Sequence, residues 1–268
     1  MGPLRSIHPT LALRPALKPA IGGPPCRDMG VAGERPPITL LFLVTADWHF
    51  CSHRLPLACA ARGAGYRVVV VTQVGADGER IRAAGLELIA VTFPRSGRRP
   101  WNDLWLLFRL IRILRSVRPD VLHLVSLKPI VLGSLAARLA TPRALIGAIT
   151  GLGDVFISRR LRSRVVRRAL LPLLRLGLAR EYAWLIAQNA DDRQFLVTAG
   201  VSTAERSVWI RGSGVDTHRF RPQAESAVKP LIVRPSRMLW EKGVGEFVAA
   251  ARTLRERGVA ARFALVLK

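Results

Sequence analysis

The 268-residue chain is poor in acidic residues and in lysine. It carries 18 Asp and Glu against 42 Lys and Arg, which gives a formal net charge of +24. The only lysines are Lys18, Lys128, Lys229, Lys242 and Lys268. So few acids leave a positive surface, which attracts anionic lipid, nucleic acid or phosphorylated substrates. A GC-rich genome is an alternative source of the Arg-for-Lys bias.

Cysteine is scarce as well. Cys26, Cys51 and Cys59 show no metal-ligand spacing, and an odd number argues against the disulfide framework of a secreted protein. We therefore expect a reducing, cytoplasmic environment. The chain also lacks HExxH, P-loop and Ser-His-Asp patterns, so nothing in it suggests hydrolysis or phosphoryl transfer.

Long apolar runs are absent. No segment is apolar over the about 18 residues that a membrane span requires. Residues 1–37 lack the apolar core of a signal peptide because Arg14, Pro15, Lys18 and Pro19 interrupt them. We expect this stretch to be a disordered Pro/Arg-rich extension, and Met29 is an alternative start.

From residue 38 onward, short apolar runs typical of buried strands alternate with helical patterns. This alternation predicts an α/β fold with a parallel sheet and right-handed crossovers. We expect a Rossmann-like doubly wound domain over 38–211, a Gly/Pro-containing linker over 212–227 and the opening βαβ of a second Rossmann-like domain over 228–268. The predicted strands of the first domain are 37–46, 66–73, 86–93, 120–126, 144–150, 181–188 and 206–212.

Residues 157–180 combine Leu and Val with eight Arg and no acid. A helix of this kind can place apolar residues on lipid and arginines at anionic headgroups. The alternative is a solvated helix in an Arg-rich protein. Pro172 is expected to divide this helix.

Three motifs together carry a family resemblance. They are WHFCSHRLPLACAARGAGY after the first strand, RGSGVDTHRFRP at the end of the first domain, and SRMLWEKGVGEF at the start of the second. From about Ile38 to the end, the chain resembles glycosyltransferase family 4, whose GT-B fold has two facing Rossmann-like domains. HLVSLKP and TGLGDVF further resemble the bacterial members that act on undecaprenyl-linked sugars.

The resemblance implies a donor diphosphate site at Arg237 and Lys242. A leaving diphosphate gains negative charge as the glycosidic bond breaks, so fixed cations stabilise the transition state more than the ground state. Arg can hold two oxygens, whereas Lys acts as a point charge. The alternative is a loop arginine followed by a lysine on a solvated helix.

Candidate acceptor-side residues follow the predicted strands. A first helix is expected over Ser52–Gly65, and His53 and Arg54 begin it, with Arg54 able to pair with an acceptor pyrophosphate. Lys128 begins a later helix beside the switch point of the sheet. For His53 a local hydrogen bond at the helix start is the alternative, and for His123 a packed position inside its strand is equally expected.

Two glycine-containing loops complete the candidate set. Gly212 and Gly214 are expected at the crevice between the domains, where glycine lets backbone approach a ligand, although an ordinary linker would look the same. Gly151 and Gly153 form a candidate acceptor loop, for which a lone G-x-G is weak support.

The implied activity is transfer of a sugar, with retention of configuration, from a nucleotide-sugar donor to a lipid-linked or polysaccharide-precursor acceptor such as a polyprenyl-diphosphate sugar. The resemblance implies no cofactor and no metal, and the departing diphosphate itself takes the proton of the attacking hydroxyl. We expect a cytoplasmic protein in peripheral contact with the anionic inner face of the bacterial plasma membrane.

One feature of the family is missing. Its donor domain carries a later acidic cluster with an E-x7-E pattern, and this sequence stops at Lys268 before such a cluster. We therefore expect a truncated donor domain and impaired activity, unless a second polypeptide supplies the rest. The alternative is a non-catalytic basic protein that binds membrane or nucleic acid, although no specific nucleic-acid motif is present.

Overall fold

The computed structural model describes residues 37–93, 100–152, 161–218, 220–222, 229–236, 238 and 240–266. Nearly all of the predicted N-terminal extension lies outside these ranges. The chain forms two units that divide after Gly214, and each is described separately.

The first unit is built on a seven-stranded sheet in which all neighbours are parallel. Its spatial order is β3-β2-β1-β4-β5-β6-β7, so consecutive strands fill one half of the sheet and then the other. The strands are β1 Thr39–Ala46, β2 Arg67–Gln73, β3 Glu87–Ala90, β4 Val121–Val125, β5 Ala144–Ile149, β6 Ala183–Ala187 and β7 Ser207–Trp209. The predicted parallel sheet is confirmed.

Both faces of this sheet are covered because the central strands are apolar on both sides. In β1, Leu41 and Leu43 enter one buried cluster, while Phe42 and Val44 enter the other. The helices are α1 Asp47–His53, α2 Leu55–Gly63, α3 Gly78–Ala83, α4 Pro100–Val117, α5 Leu127–Ala137, α6 Leu161–Leu178 and α7 Ala190–Thr198. Residues of α1 to α3 enter one cluster and residues of α4 to α7 the other, which is the predicted doubly wound arrangement.

Small residues let α5 approach its neighbours closely. A Cβ on Gly133 would lie 2.5 Å from Cδ2 of Leu124 and 2.9 Å from Cδ2 of Leu43, so the glycine allows α5 to rest on β4 and β1. A Cβ on Gly177 of α6 would collide with the side chain of Ser134 on α5. Close packing of this kind leaves no room for added atoms.

Two helix predictions are wrong in detail. The single helix expected over Ser52–Gly65 is two helices, and α1 begins directly after β1. Pro56 explains the break, since it has no N–H to donate to the carbonyl of Ser52 and is tolerated only in the first turn of a helix, which here is that of α2. Conversely, Pro172 does not divide α6, which continues from Leu161 to Leu178 around it.

The second unit contains a parallel strand pair and one long helix, as predicted. Strands β8 Leu231–Pro235 and β9 Arg262–Val266 are linked through a 3-10 turn at Trp240–Lys242 and helix α8 Val244–Glu256. The ring of Phe247 meets that of Phe263 with centroids 6.1 Å apart.

Across the described ranges, no helix combines the length and apolar character needed to traverse a bilayer.

Candidate acceptor site at the switch point

Four candidate residues of the first unit belong to β1 and β4 or to the helices after them, and these two strands lie side by side. The chain leaves these two neighbouring strands toward opposite halves of the sheet, and open α/β sheets bind ligands beyond the carboxyl ends of the strands at such a point. We call this end of the sheet the carboxyl edge. Helix α1 follows β1 there, and α5 follows β4.

Asp47 fixes the first loop of the carboxyl edge. Its buried carboxylate accepts hydrogen bonds from the backbone N–H groups of Trp48 at 2.8 Å, Gly75 at 2.5 Å and Asp77 at 3.0 Å. The start of α1 is thereby joined to the loop between β2 and α3. Asp47 serves the scaffold, because its oxygens are occupied by backbone donors.

Arg54 lies buried at the junction of α1 and α2. Its Nη1 donates to the carbonyl of His53 at 3.2 Å and to Oγ of Ser213 at 3.2 Å, while its Nε meets no hydrogen-bond partner within the described part of the chain. Burial lowers the pKa of the guanidinium below its ordinary value. A buried cation with a donor still unused is suited to bind an anion.

His123 is the packed strand histidine that the sequence left as one of two alternatives. It lies buried in the middle of β4, and its ring is 5.0 Å from that of Phe42 on β1. Burial first, and the positive charge of Arg54 second, lower its pKa to about 4, so the ring is neutral at neutral pH. Its Nε2 has no hydrogen-bond partner among the residues described.

His53 differs from its predicted position, since it ends α1 instead of beginning a helix. Its side chain is exposed, and its ring lies 4.9 Å from that of His49. Helix α1 begins earlier than the sequence suggested because Asp47 already provides acceptors for the backbone at its start. Arg54 likewise follows α1 and does not lie inside a first helix.

Lys128 occupies the first turn of α5, as predicted. Its Nζ forms an ion pair with Oδ1 of Asp103 at 2.7 Å, which ties α5 to the first turns of α4. The N-cap residue of α5, Ser126, has a φ of 77°, an uncommon value for a residue other than glycine. This backbone turns the chain sharply from β4 into α5.

The loop after β5 is held by α7. Gly151 has a φ of 136°, and a Cβ added there would meet nothing within 4 Å. The backbone N–H of Leu152 donates to Oδ2 of Asp192 at 3.3 Å, and Asn189 caps α7 by accepting from the N–H of Asp192 at 2.6 Å. Gly153 lies outside the described residues.

Gly212 and Gly214 flank the serine that contacts Arg54. Both have left-handed backbone angles, with φ values of 66° and 72°. Added Cβ atoms would meet nothing within 4 Å, so conformation, not space, favours glycine here. The segment thus reaches Arg54 through Ser213 at the carboxyl edge.

In the second unit, Lys242 ends the 3-10 turn and its side chain is exposed. Gly243 follows with a φ of 66° and forms the N-cap of α8. The start of a helix carries partial positive charge, which adds to that of the lysine. Arg237 lies outside the described residues.

Within the ranges that the structure covers, no group of three or more His, Cys, Asp or Glu side chains is placed to hold a metal ion.

The sequence profile described as "Glycosyl transferase 4-like" matches residues 39–189, which is more than half of the 268-residue chain. The chain belongs to this family. The matched span runs from β1 to the N-cap of α7, so it includes Arg54, His123 and Lys128.

A curated relative supports the assignment. Over 232 residues the chain is 25% identical to N,N'-diacetylbacillosaminyl-diphospho-undecaprenol alpha-1,3-N-acetylgalactosaminyltransferase of Campylobacter jejuni subsp. jejuni serotype O:2. The alignment covers 82% of this chain and 60% of that enzyme. The chain therefore spans well under two thirds of the relative's length.

Solved structures confirm the GT-B type of fold. Sucrose-phosphate synthase from Thermosynechococcus elongatus superposes with a TM-score of 0.63 at 14% identity, covering 86% of this chain and 62% of that one. The Anabaena protein HepE, solved in complex with UDP and glucose, gives a TM-score of 0.59 at 17% identity, covering 86% and 60%.

Three residues that shape the carboxyl edge were absent from the predicted set. Asp47, Asp103 and Ser213 hold, respectively, a neighbouring loop, Lys128 and Arg54. For Asp47 the signal was present, because an acid directly after a buried strand lies at the edge where ligands and loops meet. The partners of Asp103 and Ser213 are remote in sequence, so no local pattern announces them.

Proposed function

We propose that the first unit of this chain binds the acceptor in a glycosyltransferase reaction, and that the acceptor is a lipid-linked sugar diphosphate. The observation that carries the proposal is the placement of Arg54 and Lys128 beyond the carboxyl ends of two neighbouring strands, β1 and β4. Two fixed cations at a switch point are suited to a diphosphate. The curated relative is named for an acceptor with a diphospho-undecaprenol group.

The donor in this proposal is a nucleotide sugar held by the second unit. Lys242 before the start of α8 supports it, together with Arg237 in the same motif. Cations at this position stabilise the diphosphate as it takes the electron pair of the breaking bond.

The proposed reaction proceeds with retention of configuration. The bond between the sugar C1 and the donor diphosphate breaks, and a bond between C1 and the acceptor hydroxyl oxygen forms on the same face. The hydroxyl proton passes to an oxygen of the departing diphosphate, so no side chain is assigned as general base. The proposal includes no metal and no cofactor.

We also place the protein in peripheral contact with the inner face of the plasma membrane. Helix α6 supports this, because Val165, Val166 and Leu176 are exposed along with Arg168 and Arg175. Apolar side chains beside arginines suit the boundary between acyl chains and anionic headgroups.

The test uses calorimetry with the full chain and a short-chain polyprenyl-diphosphate sugar. We expect Arg54→Gln and Lys128→Met each to weaken binding by about tenfold or more, the loss associated with one charge-assisted contact. Trp240→Ser, in the second unit, is the control and should bind as the original chain does. The free monosaccharide should bind far more weakly than the diphosphate form.

Equal binding by the original chain and both charge variants would contradict the proposal. The alternative of a general polyanion-binding protein is tested in the same experiment with duplex DNA as the competitor. It is favoured if DNA displaces the diphosphate probe with a steep salt dependence, because counterion release is the signature of binding through backbone phosphates.

A further inference from the structure

The outer face of α4 carries an unusual set of exposed side chains. Trp101 is 75% exposed, Trp105 60%, Phe108 59% and Leu104 44%. Their spacing of i, i+3, i+4 and i+7 places all four on one side of the helix. We call these four residues the aromatic face.

The opposite side of α4 packs the helix against the rest of the first unit. Leu106, Leu110 and Leu114 are almost completely buried in the core beneath the sheet. The helix therefore does not need the aromatic face for packing within the first unit. Large contiguous apolar patches on a protein surface mark sites of interaction with a partner or a membrane.

Charge distinguishes a membrane from a protein partner here. Arg112 and Arg115 are exposed and continue the same side of α4 toward its C-terminus. Asp103 is the only acid of α4 and is paired with Lys128. The aromatic face thus has basic residues along it and no free acid, which is complementary to an anionic lipid surface.

A second copy of the chain fits this surface poorly. The chain carries a formal net charge of +24, so two copies meeting through a face extended by arginines would repel each other. Tryptophan is also the side chain best suited to the headgroup level of a bilayer, since its ring is apolar while its N–H is polar.

Asp103 relates the aromatic face to the candidate acceptor site. Its carboxylate lies 2.7 Å from Nζ of Lys128. Asp103 is two positions from both Trp101 and Trp105, and residues two apart do not share a side of a helix, so Lys128 lies across α4 from the aromatic face. A bilayer that received the aromatic face would therefore be about 10 Å, one helix diameter, from the lysine assigned to the acceptor diphosphate.

We propose that the aromatic face of α4 inserts into the boundary layer of an anionic bilayer and thereby holds Lys128, across the helix, about 10 Å from the bilayer. The link to Lys128 rests on the proposed function, whereas the insertion itself does not. Insertion positions the protein, and Arg112 with Arg115 adds attraction for anionic headgroups.

Flotation of the full chain with vesicles of equal parts phosphatidylcholine and phosphatidylglycerol tests insertion directly. We expect the Trp101→Ser/Trp105→Ser/Phe108→Ser variant to partition at least about tenfold more weakly, since it removes most of the apolar area available to the lipid. The control Trp240→Ser removes an indole that is 83% exposed in the second unit and should leave partitioning unchanged. Thermal melts should match for all three proteins because the replaced side chains are exposed.

A fluorescence experiment reports depth. Brominated lipids in the same vesicles should quench the original chain, and the Trp101→Phe/Trp105→Phe variant should keep its partitioning but lose most of the quenching. Unchanged partitioning of the triple Ser variant would overturn the proposal. The proposal would also be overturned if light scattering showed that the original chain is a dimer and the triple Ser variant a monomer, while neither protein binds vesicles.

These vesicles contain no sugar diphosphate, so the result is independent of acceptor binding. If the chain inserts into vesicles but Arg54→Gln and Lys128→Met do not weaken binding of the diphosphate probe, the proposed acceptor site is wrong and the membrane proposal stands. If both variants weaken binding of the probe but the chain does not insert, only the membrane proposal is wrong.

Discussion

Nη1 of Arg54 donates a hydrogen bond to Oγ of Ser213 at 3.2 Å, although 159 positions separate the two residues. The bond connects the junction of α1 and α2 with the glycine-flanked segment after β7. The first motif of the family resemblance is therefore in contact with Ser213 of the second at the carboxyl edge. Ser213 orients a buried cation whose Nε has no hydrogen-bond partner among the residues that the structure describes.

This relationship predicts a graded loss of binding. Ser213→Ala should weaken the binding of a short polyprenyl-diphosphate sugar by about threefold to tenfold, because the loss of a neutral partner leaves the guanidinium charged but less fixed. Arg54→Gln should cost more, since the charge itself is removed. Calorimetry on the original chain and the two variants ranks their affinities for this ligand.

Ser52→Ala is the matched control for the serine change. Its Oγ donates to the carbonyl of Trp48 at 2.8 Å within α1, so its removal leaves Arg54 untouched. Equal losses in Ser52→Ala and Ser213→Ala would show that the Arg54–Ser213 bond has no particular role in binding.

His123 predicts a dependence of stability on pH. Its pKa is about 4 in the folded protein against an ordinary 6.5, so the unfolded chain takes up a proton in this window and the folded chain does not. The free energy of unfolding should therefore fall as the pH drops from 6.5 toward 4, by up to roughly 3 kcal/mol from this residue. Chemical denaturation at several pH values measures the slope.

The variant His123→Phe isolates this contribution, because an aromatic ring of similar shape can stay beside Phe42 without titrating. Its slope between pH 6.5 and 4 should be clearly shallower. His218→Gln, an exposed histidine of the second unit, should retain the original slope. Parallel curves for the original chain and His123→Phe would refute the assignment.

From the contacts of Asp47 we predict that its replacement lowers the stability of the fold. Asp47→Ala leaves the N–H groups of Gly75 and Asp77 without their carboxylate, which should destabilise the first unit by about 2 to 4 kcal/mol. Asp47→Asn keeps one acceptor oxygen and should lose less. Urea denaturation ranks the variants, and equal stability of Asp47→Ala and the original chain would contradict the role.

The parallel sheet could be predicted because its strands are short apolar runs separated by helical patterns. β1 and β2 are buried on both faces, and the four valines Val68–Val71 are typical of such a strand because β-branched side chains favour strand geometry. The helix break at Arg54 was harder to predict from the sequence. Pro56 is also compatible with the first turn of a single helix that starts after the position where α1 begins.

The site was only partly predictable for a different reason. The place of Lys128 at the start of α5 could be predicted because the helical pattern after β4 is a local signal, whereas its partner Asp103 is on another helix. Whether His123 was packed or faced the crevice depended on the side of β4 covered by Phe42 and Phe50, which sequence alternation alone does not determine. Contacts between residues that are far apart in sequence can be identified only when the fold is known.

The contact between α5 and α6 yields a prediction with its own rescue. In Gly177→Ala the new Cβ would meet the Ser134 side chain, whose Cβ would be 2.7 Å away, so we expect a loss of about 1 to 3 kcal/mol in unfolding free energy from overpacking. Ser134→Gly in the same chain removes both clashing atoms and should recover part of the loss, although a glycine inside a helix itself costs roughly 0.5 to 1 kcal/mol. Ser134→Ala keeps the Cβ and should recover less than Ser134→Gly does. Denaturant titration of the three Gly177→Ala proteins gives the order, and no recovery by Ser134→Gly would mean that Gly177 is required for something other than the approach of these two helices.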